Sequence, residues 1–69
     1  MITLEQIRGR IAEAIKSSGM TQSEIAQKLG IRHQQISCYL RGKKMPALDT
    51  LANLCKLLDE DANYILCIE

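Results

Sequence analysis

Residues 21–42 read TQSEIAQKLGIRHQQISCYLRG, and the fold turns on how this stretch is read. Gln22 to Leu29 places Ile25, Ala26 and Leu29 on one face at helical spacing. Thr21 and Glu24, three residues apart, form a capping box that opens this helix. Gly30 then permits a left-handed turn that a residue bearing Cβ resists. A second helix begins near His33 and stops at Gly42. It turns Ile36, Tyr39 and Leu40 inward and leaves His33, Gln34, Ser37, Cys38 and Arg41 outside. The outer face is rich in groups that match the hydrogen-bonding edges of base pairs. Two helices at this spacing form a unit in which the first braces the second against a DNA groove.

Helical periodicity continues on both sides of this core. Thr3 and Gln6 repeat the capping box before a helix from about Leu4 to Ser17, whose inner face is Leu4, Ile7, Ile11, Ala14 and Ile15; Gly19 ends it. After Gly42, the loop Lys43-Lys44-Met45-Pro46 cannot easily continue a helix. A fourth helix is expected from about Ala47 to Leu58, with Leu48, Leu51, Leu54, Cys55 and Leu58 facing in. Asp61 is a natural cap for a short fifth helix from Ala62 to about Cys67. No strand-like alternation or repeat interrupts the pattern, so the expected fold is all-α, a single five-helix domain over residues 1–69.

Composition narrows the function. Tyr39 and Tyr64 are the only aromatics, too few to stack single-stranded bases. No apolar run approaches the roughly 20 residues that span a bilayer, and the charged first 19 residues do not read as a signal peptide. The net charge of +1 hides an asymmetry. Residues 1–46 carry eight Lys and Arg against three Glu, whereas residues 47–69 carry one Lys against five acids. Such a split suits a domain that meets a polyanion in one orientation. Cys38, Cys55 and Cys67 are odd in number and contain no CxxC pair, which points away from a disulfide framework or zinc site and towards a reducing cytoplasm. Cys55, on an apolar stripe, reads as a small buried hydrophobe. His33 is the only histidine and has no paired carboxylates or phosphate-cradling glycine loop near it, so neither catalysis nor a cofactor is expected.

The run Gln22-x-x-Ile25-Ala26-x-x-x-Gly30-Ile31-x-x-x-x-Ile36-Ser37 resembles the helix-turn-helix signature of Cro/C1-type (lambda repressor-like, XRE) DNA-binding domains. Gly42, Lys43, Pro46, Leu48, Thr50, Leu51 and Asn63 to Leu66 resemble the second half of that domain. The resemblance covers residues 4–67 and implies a five-helix domain that binds operator DNA as a two-fold homodimer. It implies a sequence-specific transcriptional regulator, a repressor by expectation. Antitoxins share the fold and bind a toxin protein as well as their own promoter; an adaptor that keeps the fold without binding DNA is a further alternative.

Carried onto this chain, the resemblance assigns phosphate contacts to Gln22, and the basic Arg41, Lys43 and Lys44 can neutralise further phosphates. Base reading falls to Arg32, His33, Gln34, Ser37 and Cys38, with Gln34 able to bond bidentately to adenine and Cys38 suited to a thymine methyl. Arg32 also occupies the N-cap of the second helix, where family members have a small polar residue. A guanidinium cannot accept the capping bond, so the first turn is expected to tighten on binding. Family members often pair an arginine late in helix 1 with a glutamate near the end of helix 3; here those positions hold Ile15 and Leu40, an apolar replacement that preserves the fold. Asp59 and Glu60 replace a glycine and an apolar residue, so looser packing is expected ahead of the last helix. The apolar run Tyr64 to Ile68 is expected to cover the core over helix 1 and to supply a dimer seam.

Overall fold

The computed structural model describes residues 1–69. Five helices follow one another: α1 (Leu4–Ser17), α2 (Gln22–Leu29), α3 (His33–Leu40), α4 (Leu48–Leu58) and α5 (Ala62–Ile65). Both expected capping boxes form. Thr3 Oγ1 accepts from the Gln6 amide and Gln6 Oε1 from the Thr3 amide; Thr21 and Glu24 do the same for α2. Asp61 caps α5 by accepting the Asn63 amide at 2.9 Å.

Each helix end is closed by local chemistry. Gly30 adopts φ +70°, and the Ile31 amide reaches back to the Ala26 carbonyl at 3.0 Å. A Cβ on Gly30 would meet nothing within 4 Å, so the turn demands glycine for its backbone angle alone. Asp59 takes the same role after α4 at φ +56°, with the Glu60 amide bonding the Cys55 carbonyl at 2.9 Å.

All five helices contribute to one core. Ile11, Ala14 and Ile15 come from α1, Ile25 and Ala26 from α2, and Ile36 and Tyr39 from α3; Leu51, Leu54 and Cys55 come from α4 and Ile65 from α5. Burying an isoleucine contributes about 2 kcal/mol, and Ile11, Ile25, Ile36 and Ile65 are almost completely enclosed. Ile15 is buried and Leu40 packs against the same cluster, so the positions of the family's ion pair are absorbed into apolar packing. Helix α3 sits between α1 and α2, while α4 backs α2 and α5 backs α1. No helix is long and apolar enough to cross a membrane.

Three details differ from the sequence expectation. Leu4 and Leu48 point to solvent, 63% and 85% exposed, although periodicity places them on the inner faces. Each is the first residue of its helix, and the helix end projects beyond the partners that would cover it. Helix α4 accordingly begins at Leu48, with Ala47 as its N-cap. Helix α5 stops at Ile65 rather than continuing to Cys67, because the Ile68 amide turns back to the Asn63 carbonyl and Cys67 enters the left-handed region at φ +64°. Glu60 borders an apolar pocket of about 10 Å³ lined by Ile11, Leu54, Leu58 and Ile65, too small to mark loose packing by itself.

Candidate nucleic-acid interface

The eight residues of α3 span about 12 Å, comparable to the width of a DNA major groove. Its burial pattern divides the helix cleanly. Ile36 and Tyr39 anchor it in the core, and burial pushes the Tyr39 hydroxyl pKa up. His33 and Gln34 are exposed on the first turn, where recognition helices approach bases, and Cys38 is half-buried one turn later.

The N-terminus of α3 is capped from inside the helix. Arg32 offers no acceptor, yet Gln35 Oε1 accepts the Arg32 amide at 3.3 Å. This forms half of a capping box, at the same three-residue spacing seen at Thr3 and Gln6. The three-residue spacing of Arg32 and Gln35 is legible in the sequence, although Arg32 itself is a poor cap. At the other end, the Lys43 amide bonds the Cys38 carbonyl at 2.9 Å and the Gly42 amide the Tyr39 carbonyl at 3.2 Å, with Gly42 at φ +73°. That closure turns the chain sharply and presents Lys43 and Lys44 beside the helix they follow.

The structure brings six of the nine candidate residues together in two sets, and His33, Arg41 and Lys43 belong to neither. Arg32, Gln34 and Cys38 line one open cleft together with Gly30, Gln35 and Lys44. Ser37 and Gln22 form the second set: Ser37 Oγ donates to Gln22 Oε1 at 2.7 Å. Ser37 is thus half-buried and committed to α2, whereas periodicity alone places it freely on the outer face. The bond consumes the carbonyl end of the Gln22 side chain and leaves its amide end to donate elsewhere. The Thr21 and Glu24 amides are occupied by their capping box, so the Gln22 and Ser23 amides are the free donors at the start of α2.

Arg32, Arg41, Lys43 and Lys44 are exposed, and none forms an ion pair. The salt bridge of the domain lies on another face, between Arg10 and Glu69 at 2.7 Å. There Arg10 also stacks 4.3 Å from the Tyr64 ring centroid, and Tyr64 donates its hydroxyl to Glu13 at 3.2 Å. The adjacent Glu13 carboxylate raises the Tyr64 pKa. This cluster fastens the C-terminal turn over α1, and Ile65 beneath it fulfils the expected cover of the core. Its residues lie too far apart in sequence for spacing to have joined them.

With this geometry, the chain belongs to the helix-turn-helix family, whose model matches residues 11–65, and its Cro/C1-type signature lies within that match. Among its relatives is the HTH-type transcriptional regulator ImmR of Bacillus subtilis (strain 168), 39% identical over 57 residues, which covers 83% of this chain and 45% of the relative. Two uncharacterized HTH-type transcriptional regulators of the same strain also match. YobD is 33% identical over 57 residues, 83% of this chain and 51% of its own length. YqaE is 35% identical over 51 residues, 74% of this chain and 44% of its own length. The chain therefore spans about half the length of the curated relatives it matches. No solved structure matches it.

Proposed function

We propose that this chain is the sequence-specific DNA-binding domain of a cytoplasmic transcriptional regulator, acting as a repressor and binding a two-fold symmetric operator as a homodimer. The observation that carries the reading is the exposed first turn of α3, bearing His33 and Gln34, with unpaired cations at Arg32, Arg41, Lys43 and Lys44 around it. The relatives named as transcriptional regulators support the same reading.

In this account α3 enters the major groove. Gln34 reads adenine through N6 and N7, while Arg32, His33 and Cys38 contact neighbouring base edges or methyl groups. Ser37 lies on the reading face but acts chiefly through its bond to Gln22, turning the Gln22 amide towards a phosphate. Arg41, Lys43 and Lys44 grip the backbone beyond the end of α3. Repression follows from occupancy: a dimer seated on a promoter excludes polymerase. The test is transcription in vitro from a promoter carrying the preferred site. Transcript is expected to fall as protein is added; a rise would establish activation instead, and no change would remove the regulatory role.

A further inference from the structure

The geometry points to Arg8, on α1, as an additional phosphate-binding residue that extends the interface beyond the helix-turn-helix unit; the inference rests on the DNA-binding reading above. Three observations converge on it. The Arg8 side chain lies directly across Gly42: a Cβ placed there would stand 2.6 Å from Arg8 Cδ, 3.1 Å from Nε and 3.3 Å from Nη1. Gly42 is required for its positive φ, and the end of the arginine side chain lies in the space beside it that a Cβ would enter. Arg8 thus lies against the C-terminal turn of α3, with Arg41 and Lys43 on either side of its contact residue in the chain.

The second observation is that Arg8 is uncompensated. Its Nε is buried without a hydrogen-bond partner, and no carboxylate pairs with it. Arg10, two residues on, has the Tyr64 carbonyl, the Glu69 carboxylate and the Tyr64 ring. A half-buried guanidinium normally finds such partners, because leaving its donors unmet costs free energy. The carbonyl end of the α3 dipole offsets part of this cost, without supplying a bond.

The third observation is charge density. Arg8 lies at the C-terminal end of α3 with Arg41 and Lys43 next to its contact residue in the chain, Lys44 lines the cleft beside Arg32, and none of the four is matched by an acid. Such unmatched cations repel one another in the free protein and are relieved by a polyanion. The Arg8 Nε is buried beside Gly42, so a phosphate met by the terminal nitrogens finds a side chain with part of its freedom already restricted.

The experiment measures the salt dependence of duplex-DNA affinity for the wild type, Arg8→Gln and Arg8→Lys, with thermal unfolding of each. Arg8→Gln is expected to weaken matched and mismatched duplexes alike by about fivefold and to lower the slope of log affinity against log salt by about 0.9; Arg8→Lys should keep the slope. An Arg8→Gln protein that unfolds at a lower temperature but keeps the wild-type slope would overturn the proposal and leave a packing role. Arginine side-chain NMR of the wild type gives an independent reading. Arg8 guanidinium signals should shift and sharpen on binding duplex, whereas static Arg8 signals beside moving Arg41 signals would contradict the assignment. Absence of duplex binding by the wild type would overturn the broader reading as well, so the two failures are distinguishable.

Discussion

Gln34 and Lys43 are both exposed and both proposed to meet DNA, yet they are expected to fail differently. Gln34→Ala removes a bidentate donor–acceptor pair, so it should cost about 1–3 kcal/mol at one base position and relax discrimination there. Lys43→Gln should weaken all duplexes nearly equally and lower the salt slope by about 0.9. Equilibrium titrations with the preferred site and single-base variants, at several salt concentrations, check both. A uniform loss for Gln34→Ala would place that side chain on the backbone. Periodicity made the outer position of Gln34 legible. It misjudged the freedom of Ser37, because a hydroxyl on the flank of α3 meets Gln22 only once α2 has packed beside it.

At the scale of elements, the helix boundaries follow from caps that sequence spacing makes visible. The α2 capping box carries a pH signature. Hydrogen bonding from the Thr21 backbone amide, and then from the Thr21 side chain, holds the Glu24 pKa below its ordinary value. A carboxylate depressed in the folded state contributes stability that is present above its unfolded pKa, near 4.3. That contribution is lost as pH falls through the lower folded value. Melting temperature should therefore fall less steeply with acidification in Glu24→Gln, whose neutral amide oxygen still accepts the Thr21 amide; parallel pH curves for the two proteins would contradict this role. The α4–α5 junction offers a gain. Glu60→Leu should fill the cavity edge beside Leu58 and Ile65 and relieve the acidic field that, after burial itself, helps push the Cys55 thiol pKa up. The expected stabilisation is about 1 kcal/mol by denaturant unfolding; a loss would mean that the carboxylate is already well accommodated.

Along the whole chain the charge is divided, with eight of the nine Lys and Arg in residues 1–46 and five of the eight acids in residues 47–69, a split that suits one orientation on a polyanion. The apolar exposure lies partly at Met1, Ile2, Tyr64 and Ile68, near the two chain ends. In the dimeric account Ile68 lies in the seam, so Ile68→Glu should shift sedimentation towards monomer and weaken a two-half-site operator far more than a single half-site. Equal losses on both would remove Ile68 from the seam. The order of helices and most of the core were readable because apolar spacing and caps agree along the chain. The exposed Leu4 and Leu48, the Arg8–Gly42 contact and the Arg10–Tyr64–Glu69 cluster were not, since each depends on where one helix ends against another.

The central claim is sequence-specific recognition of a symmetric duplex, and selection of binders from random duplex DNA at about 0.15 M salt tests it most directly. The account predicts enrichment of a two-fold symmetric site with half-sites about one helical turn, roughly 34 Å, apart. Binding without sequence enrichment, or no binding at all, would contradict it.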